Sequence, residues 1–165
     1  MTYLSQELYT TITNNVPVVC VDVIPVRQRD GEWEIGTIIR GTGSQAGKAA
    51  ILGGRVWHNE TIPQAIQRHM QDGLSIGRFE FFSGNNVTRP FYVQQYLHQD
   101  SAKPPLGFDP SKHAIALTYM IELLDIPIAK DEANEFIWLN KASVPAESGY
   151  NQQVLMRAAF EFLES

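Results

Sequence analysis

Gly53-Gly54-Arg55-Val56-Trp57-His58-Asn59-Glu60, continued after seven residues by Arg68-His69-Met70-Gln71-Asp72-Gly73, is the stretch on which the fold of this 165-residue chain turns. Two adjacent glycines let a backbone pass close to a neighbour or a ligand. Behind them Ile62, Ala65, Ile66 and Met70 make one apolar stripe at helical spacing, with Thr61 as N-cap and Pro63 tolerated in the first turn. Gly73 is a natural stop. Glu60 just before this helix and Arg68 upon it are spaced to pair across the loop, which predicts a structural brace rather than a catalytic group.

Upstream, residues 40–54 hold five glycines and read as a functional loop or an irregular connection. Before them, Val18 to Ile24 is a β-branched run covered on both faces, and Asp30-Gly31 offers a turn into a second strand from Glu32 to Ile39. Leu4, Leu8 and Ile12 predict a short helix over 4–14 that Pro17 prevents from continuing. Downstream, β-rich segments fall near 76–83, 91–98 and 113–122, a short strand near 134–139, and an amphipathic helix carrying Leu155, Ala158, Ala159 and Phe162. This order predicts an α/β/α sandwich with a mixed sheet between helices, in one domain over 1–165.

Composition removes several functions. Thirteen Lys+Arg against eighteen Asp+Glu leave a net charge of −5, which disfavours a broad grip on nucleic acid. The lone Cys20 can form neither an internal disulfide nor a multi-cysteine zinc site, which fits a cytoplasmic protein. No apolar run approaches a membrane span, and the N-terminus has no export signal. Gly41 to Ala46 fits a dinucleotide loop only loosely, Gly47-Lys48 lacks the rest of a phosphate loop, and the four histidines form no zinc-protease pair.

Gly54, Glu60 and Arg68 stand at the spacing of the first half of a Nudix box, and the chain resembles the Nudix superfamily, most closely its GDP-mannose mannosyl hydrolase branch. Gly53-Gly54-Arg55-Val56 repeats that branch's motif literally, and Val16 to Asp22 is similar to its first strand. The second half of the box departs: where the family carries glutamates, this chain has His69, Asp72 and Gly73, so the box is degenerate. Ala133 stands where the branch places a histidine base, and Glu132 where it places a glutamine metal ligand.

The resemblance implies a hydrolase of a nucleoside-diphosphate sugar or related nucleotide diphosphate, dependent on Mg²⁺ or Mn²⁺, in a chain that forms a homodimer. Gly53, Asp72 and Glu132 are the implied metal donors, since carboxylates and carbonyls suit hard cations. Asp22, Arg40, Arg55 and Tyr96 are the substrate-binding candidates: a forked guanidinium suits a diphosphate, and a carboxylate inside an apolar strand needs a donor or a cavity. The base is unassigned among Glu132, Glu135 and His98. The long 99–112 segment, broken by prolines, is a candidate lid. The alternative reading is a Nudix-fold protein that binds a nucleotide-like ligand or a protein partner without turnover, to which Ala133, Gly73 and His69 lend support.

Overall fold

The computed structural model describes residues 4–83, 86, 88–98 and 106–165. Helix α1 (Gln6–Asn15) opens on Ser5, whose hydroxyl accepts from the Leu8 N–H at 3.3 Å, and buries only Thr13. Strands β1 (Val18–Arg29) and β2 (Glu32–Arg40) form the hairpin, turning at Asp30 (φ 53°) and Gly31 (φ 83°), as Asp-Gly at a two-residue turn requires. Short strands β3 (Ala49–Ala50) and β4 (Leu52–Arg55) precede helix α2 (Ile62–Leu74). After it come β5 (Phe79–Phe81), β6 (Tyr92–Leu97), β7 (Gly107–Phe108), β8 (Ala114–Leu123), β9 (Ala133–Leu139) and helix α3 (Gln153–Leu163).

The sheet is mixed and follows the order β3-β2-β1-β8-β6-β7, with β4 on β1, β5 on β8 and β9 on β2. The long β1 is its axle: it runs parallel to β8 from Val18 to Pro25, and on its other edge exchanges β4, paired over Cys20–Val23, for β2, paired over Val26–Arg29. Pro25 falls where that edge changes neighbour, so its missing N–H breaks no ladder there, and the strand outruns the expected end at Ile24.

Two cores flank the sheet. Ala65, Ile66, Met70 and Leu74 of α2 pack with Val21, Val23 and Tyr119; Leu155, Met156, Ala159 and Phe160 of α3 pack with Ile24, Ile35 and Met120. This is the α/β/α sandwich expected from the order of elements.

Two expectations need correction. Residues 40–54 are not wholly loop, because β3 and β4 lie within them, too short to leave an alternating pattern. Gly73 does not end α2: the helix runs to Leu74, and the left-handed cap is Ser75 (φ 56°). Gly73 is instead a point of close packing, where a Cβ would come within 2.7 Å of the Leu52 side chain.

Candidate active site

A cavity of about 680 Å³ opens over the face of the sheet that carries Cys20 and Asp22 on β1, Gly53 and Arg55 on β4, Ala114 on β8 and Tyr96 on β6. Its floor is hollow because Cys20, Gly53 and Ala114 are small. Tyr9 of α1, Asp72 of α2, the turn at Asp131-Glu132, Lys112, and the segment Tyr150–Gln152 supply the walls. Asp22, Arg40, Gly53, Arg55, Asp72, Tyr96 and Glu132 all border it. Glu135, exposed on β9 opposite Ile39, and His98, exposed just past the end of β6, are not in its lining. Of the 99–112 segment, residues 99–105 lie outside the described residues, while Asp109 and Lys112 reach the cavity.

Asp22 is 5% exposed and ends a buried chain of hydrogen bonds. The Ile51 N–H donates to Gln152 Oε1 at 2.8 Å, Gln152 Nε2 donates to the Tyr96 hydroxyl at 2.7 Å, and that hydroxyl donates to Asp22 Oδ2 at 2.6 Å. Burial pushes the Asp22 carboxyl from 3.8 up to about 6, against the opposing pull of the Tyr96 hydrogen bond. Oδ1 accepts no hydrogen bond from the described residues and leans over Gly53, where a Cβ would collide with it and with the Val21 carbonyl. Only glycine fits beneath that carboxylate. Neighbouring Cys20 is pushed to about 12 by burial, so its thiol stays protonated and is no nucleophile.

The brace foreseen between Glu60 and Arg68 is a two-pronged ion pair, with Arg68 Nε and Nη2 donating to the two carboxylate oxygens at 2.8 and 2.7 Å. Glu60 also accepts from the Trp57 N–H at 2.8 Å, and the Trp57 ring covers the Arg68 guanidinium at 3.8 Å. The Arg68 hydrogen bonds hold the Glu60 carboxyl below its usual range. Arg68 Nη2 reaches on to the Arg55 carbonyl at 3.0 Å, so the brace fixes the backbone from which Arg55 projects. The Arg55 side chain lies over the Tyr9 ring at 5.1 Å and has no carboxylate partner among the described residues.

His69 packs its ring against Gly54, where a Cβ would sit 2.6 Å from Cε1. Burial, and then the neighbouring Arg68 charge, lower its pKa below the usual imidazole value. Its Nε2 is 3.3 Å from the Arg55 carbonyl. Asp72 is exposed one turn further on. Arg40 Nη1 donates to Glu132 Oε2 at 2.8 Å, and the guanidinium lies 5.3 Å from the Tyr150 ring centre. Lys112 Nζ donates to Asp109 Oδ2 at 2.6 Å.

Among the described residues no group of three His, Cys, Asp or Glu side chains is arranged to hold a metal ion. The donors that border the cavity are the Asp72 and Glu132 carboxylates and the Gly53 backbone. Mg²⁺ is commonly held by one or two carboxylates completed by substrate phosphates and water. Two carboxylates and a backbone carbonyl are donors of the kind a hard divalent cation takes, with the rest of its shell left to water or to a ligand.

Sequence reasoning passed over Tyr150, Gln152, Asp109 and Lys112. Tyr150 (φ 58°) and Asn151 (φ 60°) take left-handed backbone in succession, which turns the chain so that Tyr150 and Gln152 both border the cavity; nothing in Gly149-Tyr150-Asn151-Gln152 signals this. Lys112 and Asp109 bracket Pro110, a spacing that suggested only irregular structure.

A mixed sheet between helices, a glycine-floored cavity beside β4 and a glutamate–arginine brace onto the following helix define a Nudix fold. Solved structures agree. The chain is similar to a protein of Jonesia denitrificans DSM 20603 described as a candidate asymmetric diadenosine tetraphosphate (Ap(4)A) hydrolase, at 27% identity and a TM-score of 0.74, over 89% of this chain and 94% of that one. It is similar in fold to the NUDIX domain of Shewanella oneidensis NrtR complexed with ADP ribose (12% identity, TM-score 0.63, 97% of this chain and 99% of that one). A third likeness is to a bifunctional NMN adenylyltransferase/ADP ribose pyrophosphatase of Francisella tularensis holding AMP and a Mn ion (16%, TM-score 0.59, 96% of this chain and 44% of that one). The chain belongs to the family described as a domain of unknown function (DUF4916), which it matches over residues 1–162. No curated protein matches it.

Proposed function

We propose that the chain hydrolyses a nucleoside-diphosphate sugar or a related nucleotide diphosphate, with Mg²⁺ or Mn²⁺ entering alongside the diphosphate. The observation that carries this reading is the gathering of Asp22, Arg40, Gly53, Arg55, Asp72, Tyr96 and Glu132 around one cavity. Arg55, fixed through its carbonyl and free of any carboxylate among the described residues, is the phosphate anchor, and its fork can donate two parallel hydrogen bonds. Asp22, held by Tyr96, offers Oδ1 to a hydroxyl or amine of the sugar or base. Asp72, Glu132 and the Gly53 carbonyl would hold the cation, which would supply charge neutralisation and orientation of the phosphates. Glu132 is the one of the three base candidates that borders the cavity. The nucleotide ligands and the candidate Ap(4)A hydrolase among the similar structures support the substrate class.

The test is incubation of the purified chain with GDP-mannose and with ADP-ribose, each with Mg²⁺ or Mn²⁺, with products resolved by anion-exchange chromatography. Turnover is expected, falling about a hundredfold in Arg55→Ala, as for loss of a charge-assisted pair to the reacting phosphate. Ligand binding with no product would replace hydrolysis by recognition alone. Unchanged turnover in Arg55→Ala would remove the phosphate anchor from the account.

A further inference from the structure

We infer that Arg40 and Glu132 form a gate that admits a diphosphate only in company with its divalent cation, so that the ligand selected is the cation–diphosphate complex and not the free anion. The inference rests on the reading above, in which Glu132 takes the cation, and adds to it that Arg40, on the border of the same cavity, takes phosphate beside Arg55. In the structure the two take each other, Nη1 to Oε2 at 2.8 Å, with side chains 15% and 33% exposed. Neither can serve a ligand at full strength while the pair stands.

The backbone around the pair is fixed independently of it. β2 and β9 shift register between Ile39 and Arg40: Ile39 faces Glu135 and Arg40 faces Ala133, so the extra residue, Asn134, lies on β9 two residues after Glu132. The Gly41 N–H donates to the Glu132 carbonyl at 2.9 Å, which ties the two segments together. Opening the gate therefore asks only for side-chain rotation. The pair is also imperfect: Arg40 Nε is buried with no hydrogen-bond partner, so the resting arrangement leaves one donor unmet.

Each ligand alone meets a penalty. A free diphosphate could draw Arg40 away, but it would strand the Glu132 carboxylate unpaired beside further negative charge. A bare cation could draw Glu132, but would leave the Arg40 guanidinium, stacked 5.3 Å from Tyr150, without a counter-charge and next to a second cation. Separating a partly buried pair and leaving one member uncompensated is costly, whereas exchanging both partners at once is not. The complex supplies both replacements together.

Inorganic pyrophosphate is the probe, titrated calorimetrically into the full chain in EDTA and again in Mg²⁺. Wild type is expected to bind at least about tenfold more tightly with Mg²⁺. Glu132→Gln is expected to bind pyrophosphate in EDTA about tenfold more tightly than wild type, because Arg40 is released, and to lose most of the gain from Mg²⁺. The mirror variant, Arg40→Ala, releases Glu132 and is expected to bind Mn²⁺ alone more tightly than wild type does. Unchanged or weaker binding by either variant in its own titration overturns the gate while leaving the anion site intact. A wild type that binds no pyrophosphate in either buffer overturns both the gate and the nucleotide reading; tight, gated pyrophosphate binding without nucleotide turnover overturns hydrolysis alone.

Discussion

Asp22 pays a desolvation penalty that the Tyr96 hydroxyl only partly offsets, and this has a measurable sign. With a folded pKa of about 6 against 3.8 for an exposed carboxyl, the folded state holds the proton longer than the unfolded state does. Stability from this group is therefore intact below pH 4 and is lost as pH rises through about 6, amounting to about 3 kcal/mol at ~1.4 kcal/mol per pKa unit. Urea unfolding of wild type and Asp22→Asn at pH 4 and pH 8 isolates the term from carboxyls shifted the other way, such as Glu60. The variant is expected to gain on wild type as pH rises; a difference that stays flat with pH would refute the assignment. The charge inside Val18 to Ile24 was legible in sequence as an anomaly, but its partners were not: Tyr96 lies 74 residues away, and Gln152 a further 56.

At the scale of elements, what the sequence made legible was what local chemistry dictates. Asp30-Gly31 announces its own turn, and Thr61 with Pro63 in the first turn announces the start of α2, where the structure adds a capping box closed by Gln64. The end of α2 was misread because Gly73 answers to Leu52 across the core, a demand its neighbours in the chain do not reveal. The brace between β4 and α2 was legible because its spacing is fixed by one loop. Arg68→Ala strands the Glu60 carboxylate, whose side chain is 9% exposed, and frees the Arg55 carbonyl. It is expected to cost about 3 kcal/mol in urea unfolding and to weaken pyrophosphate binding as well, since Arg55 loses its footing. A loss of stability with unchanged binding would mean that Arg55 is positioned by Tyr9 alone.

Across the whole molecule, stability resides in the two cores and little of it in α1. Phe160 is 1% exposed in the core beneath α3, and Phe160→Ala is expected to cost about 3–5 kcal/mol. Leu8 on α1 is 48% exposed, and Leu8→Ala is expected to change stability by less than about 0.5 kcal/mol. Equal losses in the two variants, read from chemical denaturation, would show that α1 is an integral part of the fold. The cavity was less legible than the cores because its walls converge from α1, α2, the 109–112 segment and the start of α3. Hydrophobic periodicity records which side a residue buries, but not which distant residue it meets there.

β1 is held by β8 on one edge and by β4 and then β2 on the other. In the time domain, that makes it the last segment to open. Its amides from Val21 to Ile24 should exchange with deuterium only through global unfolding, while those of α1 exchange through local fraying. The strand that carries Asp22 then stays closed on the timescale of ligand entry, and the rates of arrival and release are set by the side chains and segments that ring it.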